Sequence, residues 1–438
     1  MALGRARLGG GTGKRHRADA SNAGIPRADS PRPGDTFGGT HMQRLRIAIL
    51  GAGTGRGQSW QSTLRKLSER SDLYDFCAVC EVIEERARQN AERWGVKPYT
   101  SLTAMLAEEK LDVLLNGVSS DSNPMAVGLA AKHGVHPITE IPIAPTLRIA
   151  DYMVQTCERH RVKLEVTEQV FLWAREQLKR KIIESGIIGE VTHARLWYTN
   201  KADYHGINAV RMLLPGEATR VLGYSGKVRV PHFVGYEGEL VQEDWWDAAI
   251  IEFDSGVVCL FEDPPRGRMS SRWDIEGTLG QLVGNDLYIG SVERATHYPF
   301  LYEYTTIDGE KVLDHLRVET DPPIVFENPY KKYGAADDDE VARMELLVGF
   351  HRAITQDTAP TYGAANARKD LEILFALRES ARRNNTWVEL PLTAPTALEE
   401  ELEADFLRLY GHAPEDAEAL SHVTIPRAGV RWRVAGWD

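Results

Sequence analysis

Arg46-Ile-Ala-Ile-Leu50 runs directly into Gly51-Ala-Gly53-Thr54-Gly55-Arg56-Gly57, and a helical pattern follows from about Gln58 to Arg70. A short apolar strand, a glycine-rich turn and a helix start in that order form the context a dinucleotide phosphate site requires. Gly51 permits a tight turn and Gly53 lets the backbone approach a pyrophosphate, while the helix N-terminus offers N–H groups and a dipole that favour an anion. Strict spacing would place the third glycine at 56, where the chain has Arg56, so Gly57 takes that role after a one-residue insertion. With Thr54, Gly55 and Arg56, these three glycines form the candidate cofactor-binding loop. Glu81 closes the next strand-like run, Asp75-Phe-Cys-Ala-Val-Cys80, where a carboxylate accepts hydrogen bonds from ribose hydroxyls. That charge favours NAD over NADP, and Arg86 on the following helix leaves NADP open.

Working outward, strands at 75–80, 111–118 and 135–139 alternate with helical stretches at 83–94, 102–107 and from Pro124, as a parallel sheet with crossover helices demands. A further strand is expected at 162–166. After about residue 190 the rhythm changes to extended, aromatic and β-branched segments (191–199, 227–235, 246–253, 257–261, 273–278, 302–307), with hairpin signals at Asp254-Ser-Gly256 and Asp308-Gly309. Helices return at about 339–355 and 365–384. The expected fold is therefore α/β plus α+β: an N-terminal Rossmann dinucleotide-binding domain over 43–142 and a C-terminal, mainly antiparallel open-sheet domain over 143–392. Residues 1–42, rich in Gly, Arg, Pro and Ser, read as a disordered extension, and 393–438 as a C-terminal extension of no assigned purpose.

The chain has 438 residues, 42% hydrophobic and 26% charged, with a formal net charge of −11. That acidity offers no footprint for nucleic acid and would be repelled by an anionic membrane surface, so a small-molecule partner is expected. No run approaches the roughly 18 apolar residues of a spanning helix, and no secretory signal is present, which makes the cytoplasm the expected compartment. Four cysteines are too few for a disulfide framework. Cys77 and Cys80 form a C-x-x-C, but inside an apolar strand, where burial rather than redox or metal use is expected. No metal is expected: no His or Cys pair stands at ligand spacing, and Asp337-Asp-Asp-Glu340 reads as a solvated helix start.

Separated motifs go further. Val79-Cys-Glu81, Thr139-Glu140-Ile141-Pro142, Glu184-Ser-Gly-Ile-Ile-Gly-Glu190, Ile275-Glu-Gly-Thr-Leu-Gly280, Arg368-Lys-Asp-Leu-Glu-Ile373, Glu379-Ser-Ala381 and Leu390-Pro-Leu392 together resemble the Gfo/Idh/MocA family of NAD(P)-dependent oxidoreductases over roughly residues 45–392. The resemblance implies a homo-oligomer, a dimer or tetramer joined through the second domain's sheet. It also implies hydride transfer to or from a secondary alcohol or ketone of a sugar, cyclitol or related polyol. Glu140 takes the place of the glutamate in the family's Glu-Lys-Pro motif and is expected near the cofactor, as is Asn123.

The family's catalytic lysine is replaced by Ile141, which neither donates a proton nor hydrogen-bonds a hydroxyl. Downstream, Lys201-Ala-Asp-Tyr204-His205-Gly-Ile-Asn208 is similar to the family's Asp-x-Gly-x-His-x-x-Asp segment, with His205 in place and Lys201 and Asn208 where the acids stand. His205 is the expected proton-transfer group, since imidazole titrates near neutrality; the alternative is a hydrogen-bonded structural histidine at a helix start. Lys201 reads either as the relocated ammonium or as a solvated lysine. Tyr204 and Asn208 are candidates to orient a polyol, or packing and capping residues, and Gln169 falls where the family contacts substrate. The Trp245-Trp246 pair reads as a sugar platform or as core and interface aromatics. The leading expectation is an NAD(P)-dependent oxidoreductase. Two alternatives remain: an NAD-dependent sugar elimination or glycoside cleavage without net redox change, and a catalytically silent dinucleotide-binding sensor or structural protein.

Overall fold

The structure, a computed structural model, describes residues 44–197, 203–234, 240–265, 271–425 and 429–430. Strand β1 (Leu45–Leu50) is buried along nearly its whole length, as a strand covered on both faces must be. Around it the chain alternates: α1 (Gly55–Arg70), β2 (Tyr74–Cys80), α2 (Glu84–Trp94), β3 (Lys97–Tyr99), α3 (Leu102–Glu108), β4 (Val113–Asn116), α4 (Asn123–Lys132), β5 (His136–Thr139), α5 (Leu147–His160) and β6 (Glu165–Val166). The strands form one six-stranded sheet in the order β3-β2-β1-β4-β5-β6, and every pairing is parallel. The order reverses between β1 and β4, so the loops at the carboxyl ends of these two strands open the crevice where such sheets bind ligands.

This sheet does not stop at residue 142. Helix α5 buries Leu147, Ile149, Ala150, Met153 and Cys157 along one face and carries the chain back to β6, which pairs with β5. The strand expected at 162–166 is thus present, shortened to Glu165–Val166, and it belongs to the parallel sheet. Cys77 and Cys80 are free, and burial pushes each thiol up to about 12, which removes the thiolate that redox chemistry needs.

Beyond α6 (Ala174–Glu184) come β7 (Val191–Trp197), α7 (Asp203–Arg211), β8 (Ala218–Val234), β9 (Leu240–Phe253), β10 (Val258–Asp263), β11 (Arg272–Gly277), β12 (Gly280–Val283), β13 (Asp286–Ile289) and β14 (Thr296–Pro299). Together with β18 (Val388–Glu389) they make a nine-stranded sheet, β14-β13-β12-β11-β7-β10-β9-β8-β18. Its pairings are antiparallel except for β7 with β10. The strand expected at 302–307 belongs instead to a separate three-stranded sheet of β15 (Leu301–Ile307), β16 (Glu310–Val318) and β17 (Ile324–Glu327). Both hairpin signals hold: Asp254-Ser-Gly256 joins β9 to β10, and Asp308-Gly309, at φ 52° and 81°, joins β15 to β16.

Helices α8 (Asp338–Thr355) and α9 (Gly363–Arg382) close the core, and α10 (Ala397–Tyr410) and α11 (Ala417–Leu420) follow in the C-terminal extension. Helix α9 lies on the inner face of the large sheet, where the backbone N–H of Gly223 donates to Ser380 Oγ at 2.8 Å. The opposite face of β8, β9 and β10 exposes Tyr224, Trp246, Ile250, Val258 and Leu260. Cross-strand register puts Ile250 opposite Leu260 and Ala248 opposite Tyr224, so the apolar side chains form one surface. Among the described residues no helix is long and apolar enough to cross a membrane.

Candidate functional site

The glycine turn caps α1 through Thr54, whose hydroxyl accepts from the Gly57 N–H at 2.8 Å. A Cβ at residue 57 would sit 2.4 Å from the Gly51 carbonyl oxygen; only glycine lets α1 pack so close to β1, the role expected of the third glycine despite the insertion. Glu81 reaches back from the end of β2 and accepts from the Gly53 N–H at 2.9 Å. The first turn of α1 contains no acidic residue, which leaves its dipole available to an anion. Cradle, helix start and acid thus fit a dinucleotide: Gly51–Gly57 would hold the phosphates and Glu81 the ribose.

Arg56 does not stay with the turn. Its guanidinium crosses the carboxyl edge of the sheet to lie 3.5 Å from Glu140 and 3.9 Å from Asp339, at the start of α8. Burial works against its charge, but Glu140, Asp339 and Glu168 around it hold its pKa above the ordinary arginine value. Glu140 also accepts from the Trp60 indole of α1 at 2.7 Å. A cation therefore stands beside the Glu-Ile-Pro loop although Ile141 contributes none.

His205, near the start of α7, pairs with a residue the sequence reading did not single out. Its Nδ1 lies 2.7 Å from Glu168 Oε2, and Glu168, fully buried after β6, accepts from the Val170 N–H at 2.9 Å through its other oxygen. A carboxylate only accepts, so Nδ1 is the donor and Nε2 is the ring nitrogen aimed away from Glu168. Nothing in a lone glutamate at a strand end distinguishes it from a core-edge acid; only the fold brings 168 to 205.

Gln169 donates to Asp339 at 3.1 Å, while its Oε1, in a residue only 3% exposed, has no partner among the described residues. Asp339 also receives Trp173 Nε1 at 3.4 Å and the Arg343 guanidinium. Next to it opens a cavity of about 290 Å³ walled by Trp173, Arg175, Tyr302 and Asp338, with Asp339 on its rim. The cleft thus gathers His205, Glu168, Arg56, Glu140, Gln169 and Asp339.

Other expected site residues lie elsewhere. Tyr204 and Asn208, four apart on α7, face α9: Tyr204 donates to the Ala367 carbonyl at 2.9 Å and Asn208 to Asp370 at 2.9 Å, both fully enclosed. They lock α7 to the core and do not orient a ligand; one helical residue separates the cleft face from the core face. Asn123 is also enclosed, donating to the carbonyls of Glu140 and Ile143 at 3.0 and 2.9 Å and accepting from Asn116. It fastens the Glu-Ile-Pro loop and leaves no group for a ribose. Lys201 lies outside the described residues. The exposed Trp246 sits edge-on to Tyr224 on the outer sheet face, away from the cleft. Asp314, His315 and Glu327 are close enough to share an ion, but Lys331 already pairs with both acids and Arg317 donates to His315.

A parallel sheet with a glycine phosphate turn and an acid after its second strand makes the N-terminal half a Rossmann-type dinucleotide-binding domain. Residues 45–168 match the family described as the oxidoreductase family, NAD-binding Rossmann fold. This stretch carries the NAD-binding Rossmann domain of the Gfo/Idh/MocA oxidoreductases. The chain is 30% identical over 169 residues to the D-apiose dehydrogenase of Paraburkholderia graminis, a match covering 37% of this chain and 43% of that protein. It is 27% identical over 214 residues to glycosyl hydrolase family 109 protein 2 of Akkermansia muciniphila, covering 44% of each. The matched stretch thus spans less than half the length of these curated relatives. In fold the chain is similar to levoglucosan dehydrogenase in complex with NADH and levoglucosan (TM-score 0.62, 18% identity, 80% of this chain and 100% of that one).

The Asp339 carboxyl is half-buried, which opposes its charge, yet Arg343, Arg56 and the donors from Gln169 and Trp173 hold it below the usual aspartate range. Its folded value is depressed, so its stabilisation is complete above the unfolded value of about 4 and is lost as pH falls through the lower one. Thermal unfolding of Asp339→Asn is expected to show its full deficit from about pH 5 upward and a shrinking one toward pH 3; a deficit independent of pH would remove the charge from this account.

Proposed function

We propose that the protein is an NAD-dependent oxidoreductase, with NADP a weaker alternative, that interconverts a secondary alcohol and ketone on a sugar, cyclitol or related polyol. The observation that carries the reading is the His205–Glu168 pair, whose carboxylate acts electrostatically on Arg56 of the phosphate turn. Bound NAD supplies the hydride acceptor; everything else is work for this chain's residues. His205 Nε2 takes the hydroxyl proton, and Glu168 holds the ring and stabilises the imidazolium that forms. Arg56, anchored by Glu140 and Asp339, offers N–H donors to the oxygen on which charge develops and cannot deprotonate there. Gln169 keeps an acceptor for a neighbouring hydroxyl. A site this rich in carboxylates disfavours an anionic ligand, and the named relatives that act on apiose and levoglucosan fit a neutral polyol.

Nicotinamide absorbance followed during a screen of polyols and keto-sugars tests this. His205→Ala is expected to lower kcat by about 10²–10⁴, the usual worth of a positioned acid–base group, with dinucleotide affinity retained. Turnover unchanged in that variant would overturn the assignment.

A second reading rests on Ile141, which denies the site the family's lysine, and on the glycosyl hydrolase among the relatives: transient oxidation, elimination or glycoside cleavage, then reduction, with no net redox change. Release of a glycoside's leaving group without accumulation of NADH would select it over the first.

The contiguous apolar face of β8, β9 and β10 supports a homo-oligomer joined sheet to sheet. Leu260→Asp, placed opposite Ile250 and half exposed in the single chain, is expected to shift light-scattering mass toward the monomer without unfolding the protein. A wild type that is already monomeric would discard that interface.

A further inference from the structure

The C-terminal extension ends up at the cofactor edge of the parallel sheet. Asp121, in the loop between β4 and α4, is completely buried, and its Oδ2 accepts from the Tyr410 hydroxyl at 2.6 Å and from the Val430 N–H at 2.7 Å. The fit is close: a Cβ at Gly429 (φ 41°) would lie 2.2 Å from the same oxygen. Helix α10 holds the next loop too. Glu399 accepts from the Leu147 N–H at 3.0 Å and Glu403 from the Thr146 hydroxyl at 2.9 Å, so α10 supplies acids to the first turn of α5.

Both loops reach the site. Residue 117 accepts from the Thr54 hydroxyl at 3.1 Å, and the Val118 side chain occupies the space a Cβ on Gly51 would need. Asn123, at the loop's far end, holds the carbonyls of Glu140 and Ile143. The loop from 117 to 123 therefore touches the phosphate turn at one end and the Glu-Ile-Pro segment at the other, and its middle is fixed by Tyr410 and Val430.

We propose that α10 together with Gly429–Val430 is a positioning clamp for the dinucleotide site: Tyr410 and Val430 fix the 117–123 loop through Asp121, while Glu399 and Glu403 fix the loop entering α5. This rests on the NAD-binding reading above. The clamp residues touch neither substrate nor cofactor; they act through the loops. Their loss therefore lowers dinucleotide affinity, because the site must then be ordered at the moment of binding.

The test compares NAD dissociation constants and local hydrogen exchange for the full-length wild type, Tyr410→Phe and Lys132→Ala. Tyr410→Phe keeps the ring that packs edge-on against Phe406 at 4.6 Å and deletes only the hydroxyl. Lys132→Ala cuts an exposed ion pair to Glu418 on the same extension without touching Asp121. Tyr410→Phe is expected to raise the dissociation constant on the order of tenfold, the scale of one buried charge-assisted hydrogen bond. It should also speed exchange at 117–123, while Lys132→Ala matches wild type in both. Affinity unchanged in Tyr410→Phe, or equally weakened in Lys132→Ala, overturns the proposal. A wild type that binds no dinucleotide overturns the cofactor reading instead, and exchange at 117–123 then still decides whether Tyr410 orders the loop.

Discussion

A carboxylate taken out of water needs donors or a cation around it, since its desolvation is otherwise uncompensated. This protein joins its distant segments at such groups. Glu165 in β6 receives backbone N–H groups of Thr361 and Gly363 and so fixes the start of α9 to the parallel sheet. Asp370 on α9 collects Asn208, Arg211 and Tyr362, which binds α7 to the same helix. Glu168 then reaches His205 from a strand already held by Glu165 three residues earlier. The histidine owes its place to two buried acids behind it, and moving either α7 or β6 would separate it from its carboxylate.

The same demand explains how the cleft keeps a cation without the motif lysine. Glu140 stays at the carboxyl end of β5, buried enough to require a partner, and Ile141 cannot serve. The one-residue insertion in the glycine turn places an arginine where strict spacing would have glycine, and Gly57 inherits the close contact with β1. Arg56 is thereby free of the packing constraint and swings to Glu140, with the Trp60 indole completing the carboxylate's shell. Two departures from the family pattern, Arg56 and Ile141, 85 positions apart in sequence, are compensating in space.

The Rossmann half was legible because each of its strands is a buried apolar run between helices of ordinary length, and its ligand turn is local. What eluded the sequence has a common physical cause. The strand expected at 162–166 is legible, but its place in the parallel sheet, beyond residue 142, depends on pairing with β5 and not on pattern. The divided C-terminal sheets differ only in which strands are neighbours, which alternation does not encode. The sequence leaves Tyr204 and Asn208 open between orienting a polyol and packing; a helix advances each residue by about 100°, and 204 and 208 bond to α9 while 205 pairs with Glu168. Glu168, Arg56 as a cleft cation and Asp339 gain their meaning only from long-range contacts.

The distribution of charge in the cleft narrows the chemistry further. Arg343 and Arg175 are each held by an acid of α8, Asp339 and Asp338 respectively, so neither guanidinium is available to an anionic substrate without first giving up its carboxylate. Arg56 is divided between Glu140 and Asp339 at 3.5 and 3.9 Å, looser distances than the 2.7 Å between His205 and Glu168. A neutral hydroxyl can take an N–H from Arg56 without breaking either pair, because a guanidinium carries five donors. A carboxylate or phosphate on the ligand would instead compete with Glu140 and Asp339 and face Glu168 behind them. The arrangement therefore sets a cost on any anionic ligand, that of displacing Glu140 and Asp339 from Arg56.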